Sequence, residues 1–311
     1  RRRAQTVIGE MVLRVPESAV AHALRFDGLL HRFVEHLFRA FCGGRGFGSG
    51  YFAAGPPLVV DGNRAAMMVD PFRILGEPKI GGFLIIGDHA SNAVPGDVAL
   101  GLDADHLNAH IAWDIGVDPV AHILTQDARF AAFLGRYSRL VVDLNREEDE
   151  TDAIPSESDG RHIPNNDLDA KQRLDRIARY HRPYHDRLET LLLECRPALI
   201  LSLHSFTPAL KTRPDEARPW DVGVLYNAHE AASKTAIPFL QDSGLNVGDQ
   251  LPYSGKLLNA TMNRHAEAND IPYIGIEMRQ DLVGDAAGQA RFAHILSGMC
   301  HFVSEQLGLT T

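Results

Sequence analysis

Short apolar runs that end abruptly at polar residues recur along the chain from about residue 70. The clearest runs occupy 83–86, 199–203 and 271–276, and each leads into a histidine or a glutamate. Runs this short, bounded by turn residues, are typical of strands buried on both faces of a parallel sheet. Further runs predict strands at 131–134, at 140–144, where the signal is stronger, and at 221–226.

Apolar residues spaced three or four apart predict helices between these strands. From Asp103 to Thr125, the residues Leu107, Ile111 and Ile115 recur on one face, which indicates an amphipathic helix. The same pattern predicts helices over 168–194, 228–242, 257–269 and 288–307. Strands that alternate with helices indicate a layered α/β fold. The polar stretch 147–169 predicts a long loop, and such loops are often functional.

The chain divides at about residue 68. Residues 19–41 have a helical pattern and are followed by a glycine cluster at 43–50, a flexible break. We expect residues 1–68 to be an N-terminal extension that is disordered or foreign to the native protein. The α/β domain is then predicted over 69–311.

Composition excludes several classes of protein. The 311 residues are 45% hydrophobic with a net charge of −9, so the core is large and a nucleic-acid partner is not expected. No apolar run approaches the roughly 18–20 residues that a membrane span needs, and no signal peptide is indicated. The three cysteines are widely spaced, which favours a reducing, cytoplasmic setting. The oligomeric state is left open.

Two histidines follow predicted strands and suggest a metal site. His89 and His204 come at the carboxyl ends of strands, where α/β sheets gather their ligands and catalytic groups. Catalytic zinc sites use about three protein ligands and an open position, so Zn²⁺ is the predicted cofactor. The third ligand is left open among Asp114, Asp88 and Asn92. Glu277, at the end of another strand, is the candidate general base, because a carboxylate can take a proton from an attacking water.

Basic and amide side chains frame the predicted strand 140–144. Arg139 precedes it, and Asn145 and Arg146 follow it. A guanidinium group grips a carboxylate through paired hydrogen bonds, so this segment suits an anionic substrate, although solvated arginines at a strand end would look the same.

His181 and His185 have the spacing of a helical zinc motif. That motif needs a glutamate after the first histidine, and Arg182 stands there, so a zinc site of this kind is not predicted. We expect His185 to face the site as a hydrogen-bond donor.

Five motifs together resemble the N-formylglutamate amidohydrolase family, from about residue 69 onward. They are Gly-Asp-His-Ala-Ser-Asn at 87–92, Ser-Arg-Leu-Val-Val-Asp-Leu-Asn-Arg at 138–146, His-Arg-Pro-Tyr-His at 181–185, Ser-Leu-His-Ser-Phe-Thr-Pro at 202–208 and Ile-Glu-Met-Arg at 276–279. The resemblance implies a three-layer, zinc-carboxypeptidase-like fold with a mainly parallel, mixed central sheet flanked by helices. It makes 69–311 an amidohydrolase domain that hydrolyses a small anionic N-acyl amino acid, with N-formyl-L-glutamate as the named substrate.

The resemblance also implies roles for individual residues. His89 and His204 are the first and last metal ligands, Glu277 is the base, and Asn145 and Arg146 clamp the substrate. Asn92 stands where related zinc deacylases have a glutamate ligand, so Asp114 is our choice for the missing charge.

The basic residues divide the remaining roles. Arg146 or Arg139 would stabilise the developing oxyanion or hold the α-carboxylate, and Arg279 would take the side-chain carboxylate. Two alternatives remain: an amidase acting on peptide or cell-wall fragments, and a non-catalytic protein of the same fold that binds anions.

Overall fold

The computed structural model describes residues 69–309, and these are built on a seven-stranded sheet. Its strands are β1 (Phe72–Leu75), β2 (Phe83–Gly87), β3 (Phe130–Gly135), β6 (Leu199–Phe206), β7 (Val222–Leu225), β8 (Val247–Asp249) and β9 (Tyr273–Arg279). A separate two-stranded ribbon pairs β4 (Glu157–Ser158) with β5 (Arg161–His162). The predicted extension 1–68 lies outside the described residues.

Helices connect most of these strands. They are α1 (Ala104–Leu107), α2 (Val117–Leu124), α3 (Ala170–Arg176), α4 (Arg182–Cys195), α5 (Ala231–Asp242), α6 (Ala260–His265) and α7 (Ala286–Gln306). A turn of π-helix, Ile177–His181, joins α3 to α4, and Pro183 lies in the first turn of α4. The three segments form one unbroken helical run, in which the Arg182 N–H donates to the Ile177 carbonyl. This wider π-turn lies just before Pro183, whose ring would clash with a carbonyl in a regular α-helix.

The sheet is mixed, with a parallel centre. Its strand order is β1-β3-β2-β6-β9-β7-β8. The central strands β3, β2, β6 and β9 run parallel, whereas β1 is antiparallel to β3 and β7 is antiparallel to β9. This arrangement confirms the predicted α/β class with a mainly parallel, mixed sheet.

Each face of the sheet carries its own layer of helices. Along β2, Phe83 and Ile85 pack into one core and Leu84 and Ile86 into the other, because successive side chains of a strand point to opposite faces. The first core includes residues of α2, α5 and α7, and the second includes residues of α4 and α6. The molecule therefore has the three layers expected from the sequence.

The predicted helix over 103–125 was wrong in its middle. Only α1 and α2 are helical, and residues 108–116 form a series of turns that carry Asp114. Gly116 has a φ of 91°, and a Cβ atom there would lie 2.4 Å from Val283. The left-handed backbone at Gly116 interrupts the helix, and the spacing of apolar residues in the sequence does not reveal this interruption.

The predicted strand over 140–144 was also wrong. The run is buried, but the N–H of Val141 donates to the Ser138 carbonyl at 2.9 Å and that of Asp143 to the Ala153 carbonyl at 2.7 Å. The Ser138 hydroxyl donates to the Ala112 carbonyl at 2.7 Å. These bonds fix the segment in turns, so its apolar residues signalled burial and not strand pairing.

Candidate active site

Three strands bring the predicted site residues to one edge of the sheet. His204 and Glu277 are direct partners in the parallel pair β6 and β9. His89 lies two residues beyond β2, which pairs with β6 on the other side. Because parallel strands deliver their carboxyl ends to the same edge, these three side chains line one cavity.

Asp114 reaches the same place from the turns between α1 and α2. Its N–H donates to the His89 carbonyl at 2.9 Å. The carbonyl of the next residue, Ile115, accepts a hydrogen bond from the Ser205 hydroxyl at 2.8 Å. The backbone therefore fixes Asp114 against the ends of both β2 and β6.

His89, Asp114 and His204 form a cluster that could hold a metal ion. The Oδ2 atom of Asp114 lies 2.8 Å from His204 Nδ1 and 3.3 Å from His89 Nδ1. One ligand atom from each residue lies within 4.8 Å of the others, and all three residues are buried. This is the only such group of three among residues 69–309.

Further polar residues surround the two imidazoles. His89 Nε2 lies 2.7 Å from Asp143 Oδ1, while Asp143 Oδ2 accepts from Arg139 Nη2 at 2.7 Å. On the other side, His204 Nε2 lies 3.6 Å from Asp88 Oδ2, and the Tyr184 hydroxyl donates to Asp88 Oδ1 at 2.7 Å. Both histidines thus turn Nδ1 toward Asp114. His89 also bonds a second carboxylate through Nε2, the arrangement that orients metal-ligating histidines, whereas His204 Nε2 and Asp88 Oδ2 lie beyond hydrogen-bond distance of each other.

Burial and charge act against each other on the pKa values of these groups. Burial and Arg139 lower the pKa of His89, but Asp143 and Asp114 outweigh them and raise it to about 9. For Asp114, burial raises the pKa, and the histidines and Arg139 bring it well below its usual range. In Glu277, burial raises the pKa to about 7, although His204 opposes the change. A carboxyl group with such a pKa can take up and return a proton near neutral pH.

Three buried polar atoms in this cluster have no hydrogen-bond partner among residues 69–309. They are Asp88 Oδ2, His204 Nε2 and Glu277 Oε2. Buried polar atoms without partners are rare, and an ion or water that completes the site is one physical explanation. The donors and their unsatisfied neighbours therefore fit a cation.

A cavity of about 440 Å³ opens above the cluster. Asn145 and Arg146 lie in its wall, and Arg146 forms an ion pair with the half-exposed Asp152 at 3.2 Å. The segments 152–159 and 205–213 supply much of the remaining lining. The predicted long loop 147–169 thus borders the cavity, as its length suggested.

The sequence profile of the N-formylglutamate amidohydrolase family matches residues 81–283. The chain belongs to this family. The match includes the whole cluster, so the protein is an amidohydrolase that acts on amides. No curated protein sequence matches the chain.

Two solved structures share the fold of this amidohydrolase. Gene product Atu2144 from Agrobacterium tumefaciens is 27% identical, with a TM-score of 0.72, and the alignment covers 78% of this chain and 97% of that one. An N-formylglutamate amidohydrolase from Ralstonia eutropha JMP134 is 20% identical, with a TM-score of 0.59, and the alignment covers 76% of this chain and 100% of that one. At that identity, the second similarity shows the fold alone.

Two predicted substrate-binding residues of the amidohydrolase do not reach its cavity. His185 lies behind the Asn145 segment, where Nε2 donates to the Leu144 carbonyl at 3.0 Å and Nδ1 faces His265 Nε2 at 2.9 Å. Arg279 turns away, and its Nε donates to Asp281 at 2.8 Å. Because these contacts occupy both side chains outside the cavity lining, we no longer assign them to the substrate.

Arg139 lies in the wall, but its guanidinium group is committed to carboxylates. Besides its bonds to Asp143, Nη1 donates to Asp114 Oδ1 at 3.3 Å. We therefore assign Arg139 to holding these two carboxylates in place of the substrate role predicted from the sequence.

Sequence reasoning missed Tyr253, which also lines the cavity. It lies in Leu-Pro-Tyr-Ser-Gly at 251–255, a turn signal that reveals nothing about its distant neighbours.

Proposed function

We propose that the protein catalyses the zinc-dependent hydrolysis of the amide bond of a small N-acyl amino acid, with N-formyl-L-glutamate as the first substrate to test. The observation that carries the proposal is the meeting of His89 Nδ1 and His204 Nδ1 at one oxygen of Asp114, beside Glu277 in the cavity wall.

Two imidazoles and one carboxylate with an open side match the protein ligands of catalytic zinc sites. His89, Asp114 and His204 would hold the ion, and Asp143 would orient the His89 imidazole through its Nε2 atom. When bound, zinc polarises the acyl carbonyl group and lowers the pKa of the attacking water.

Glu277 is the proposed general base. It is a direct neighbour of His204 in the sheet, and its Oε2 atom has no hydrogen-bond partner in the described part of the chain. The carboxylate takes a proton from the attacking water as the C–O bond forms. It then delivers that proton to the leaving nitrogen as the C–N bond breaks, which releases the acid and the amine.

Asn145 and Arg146 are the proposed substrate clamp. The Asn145 side-chain oxygen accepts from the Thr261 N–H at 3.0 Å, which fixes the amide group in the wall. Among the residues that the structure describes, Arg146 is paired only with a half-exposed carboxylate, Asp152, which an anionic substrate can replace. Its guanidinium group then binds the α-carboxylate or stabilises the oxyanion.

The substrate class has two supports. The family and one solved structure of this fold carry the name N-formylglutamate amidohydrolase. The cavity is also of the size that encloses small ligands, which typically occupy pockets of about 300–1,000 Å³.

The test combines metal content with formate release from N-formyl-L-glutamate, before and after chelation. We expect about one zinc ion per chain, and activity that chelation removes and zinc restores. Zinc without formate release, but with turnover of another N-acyl amino acid, would change the acyl group or amino acid and keep the chemistry. Turnover of peptide or cell-wall amides alone would favour the larger-substrate amidase. Neither zinc nor turnover, even after zinc is supplied, would contradict the proposal.

A further inference from the structure

Tyr253, which is half-buried, and the buried Arg218 form a pair at the cavity that the proposed mechanism does not use. Arg218 Nη1 lies 3.0 Å from the Tyr253 hydroxyl oxygen, and its guanidinium carbon lies 5.1 Å from the centre of the Tyr253 ring. The Arg218 side chain is only 2% exposed. Tyr253 is part of the cavity wall together with Glu277 and Arg146.

The chemistry of the pair decides where the phenol proton points. A guanidinium group has only donors, so the Tyr253 oxygen must be the acceptor in this bond. The O–H group is then left to donate elsewhere, and among residues 69–309 it donates to no protein acceptor. Burial, with Glu277 nearby, raises the pKa of Tyr253, so the phenol keeps its proton at neutral pH.

The loop that carries Tyr253 is held rigidly against the sheet. The Leu251 carbonyl fits against two glycines, Gly223 and Gly248, where a Cβ atom would approach it to 2.3 and 2.5 Å. Gly255 lies as close to the backbone of Tyr226, and its N–H donates to Gln250 Oε1 at 2.8 Å. These contacts fix both sides of Tyr253 without any contribution from its own side chain.

The same contacts bring the loop to the catalytic glutamate. Gly223 pairs with Glu277 across β7 and β9, and a Cβ atom at Gly223 would lie 3.3 Å from Glu277 Cβ. The Leu251 carbonyl therefore packs on Gly223, the strand neighbour of Glu277, and Tyr253 follows two residues later.

Arg218 is a costly residue to bury in this position. Within residues 69–309 its Nε atom has no hydrogen-bond partner, and its other polar contacts are long: Nη1 to the Thr207 carbonyl at 3.4 Å and Nη2 to Glu216 at 3.4 Å. A buried charge with incomplete pairing opposes folding, so its shortest contact, to the phenol, points to a functional role.

We propose that the Tyr253 hydroxyl donates a hydrogen bond to the acyl oxygen of the substrate as that oxygen gains negative charge, and that Arg218 is the positioning residue that fixes this hydroxyl. The phenol keeps its proton throughout, and no covalent bond to Tyr253 forms. The inference rests on the proposed amide hydrolysis. It adds a donor that no carboxylate of the site competes for, unlike Arg139.

The first measurement compares the Tyr253→Phe variant with wild type, and Tyr137→Phe, outside the cavity, is the control. Loss of one such donor lowers kcat by about 10²–10³-fold, and we expect KM to change little. Binding of a phosphonamidate analogue of the N-acyl amino acid, whose tetrahedral oxygens mimic the charged state, should weaken in parallel. Zinc content should be unchanged in both variants.

The second measurement is a double-mutant cycle with Arg218→Lys. If Arg218 acts through the phenol, Arg218→Lys lowers kcat in the wild-type background and has no further effect in Tyr253→Phe. An additive loss, or a Tyr253→Phe variant with wild-type kcat and analogue affinity, would overturn the proposal. A change in KM alone would assign Tyr253 to a substrate carboxylate and overturn the oxyanion role.

The two proposals fail in distinguishable ways. Wild-type protein that hydrolyses no N-acyl amino acid contradicts the proposed function. Analogue binding still decides the role of Tyr253 in that case, because it needs no turnover. Normal wild-type activity with an unaffected Tyr253→Phe variant contradicts only the role of Tyr253.

Discussion

His89 Nε2 lies 2.7 Å from Asp143 Oδ1, and its other ring nitrogen faces Asp114. Asp143 therefore fixes the rotation of the imidazole. A metal ion at Nδ1 would displace the proton of that nitrogen, and Asp143 would then hold the remaining proton on Nε2. Arg139 holds Asp143 in turn, so one chain of hydrogen bonds runs from the cavity wall to the predicted metal ligand.

Replacing Asp143 with asparagine should weaken metal binding. The change removes the charge that orients His89, and losses of such partners typically cost about 10–100-fold in metal affinity. Competition with a chromophoric chelator measures the affinity. Asp175→Asn is the matched control, because the exposed Asp175 forms an ion pair with Arg179 and neither residue lines the cavity. Equal affinities in the two variants would contradict the orienting role.

Replacing Glu277 with glutamine should abolish turnover and leave zinc bound. The amide cannot accept the proton of the attacking water, and general-base catalysis contributes about 10²–10⁴-fold to rate. Steady-state kinetics and metal analysis on the same samples separate the two effects. Glu305→Gln, at an exposed position of α7, should behave as wild type. Full activity in Glu277→Gln would refute the assignment of the base.

Replacing Gly116 with alanine should destabilise the protein and disturb the cluster. The left-handed backbone costs roughly 1–3 kcal/mol for a residue with a Cβ atom, and that atom would also meet Val283 at 2.4 Å. Because Gly116 lies two residues after Asp114, zinc affinity should fall as well. Urea unfolding measures the stability, and Gly96→Ala is the control, since nothing lies within 4 Å of a Cβ atom there.

The histidines behind the substrate clamp should make stability depend on pH. Burial, with Arg264 and His181 nearby, lowers the pKa of His265 from 6.5 to about 3. Between those values the unfolded chain binds a proton that the folded protein does not bind. The stabilisation is therefore complete above pH 6.5 and is lost as the pH falls toward 3, by up to about 1.4 kcal/mol per pH unit.

Urea unfolding of the metal-free protein at several pH values between 7 and 4 tests this dependence. In His265→Gln the loss of stability with falling pH should be shallower than in wild type. His294→Gln, at an exposed position of α7, should retain the wild-type slope. Parallel curves for wild type and His265→Gln would show that His265 does not remain neutral in the folded protein.

The sequence was most informative where burial and strand pairing coincide. The runs before His204 and Glu277 are strands, and both side chains lie where a parallel sheet delivers them. The run 140–144 shows the limit of this reasoning. It is equally apolar and buried, yet its backbone N–H groups donate to carbonyls of turns and not to a neighbouring strand. Hydrophobicity indicates burial, whereas strand pairing depends on which backbone groups of other segments lie beside the run.

The candidate site was harder to predict where it depends on contacts between distant segments. The prediction of Asp114 as a ligand rested on its charge. Its position depends on the turns before Gly116 and on the hydrogen bond from its N–H to the His89 carbonyl. Arg279 and His185 share motifs with site residues and still point elsewhere, because neighbouring carboxylates and carbonyls bind them. Tyr253 reaches the cavity because Gly223 and Gly248 leave room for the loop that carries it.

The antiparallel direction of β7 has a consequence for how this enzyme can diversify. Since β6 ends and β7 begins at the same edge of the sheet, the fifteen residues from 207 to 221 never cross to the opposite edge. This segment supplies several residues of the cavity wall and also Arg218. Apart from Arg218, its length and composition can therefore be changed without altering the path of any strand, which makes this segment the place to alter substrate preference by substitution.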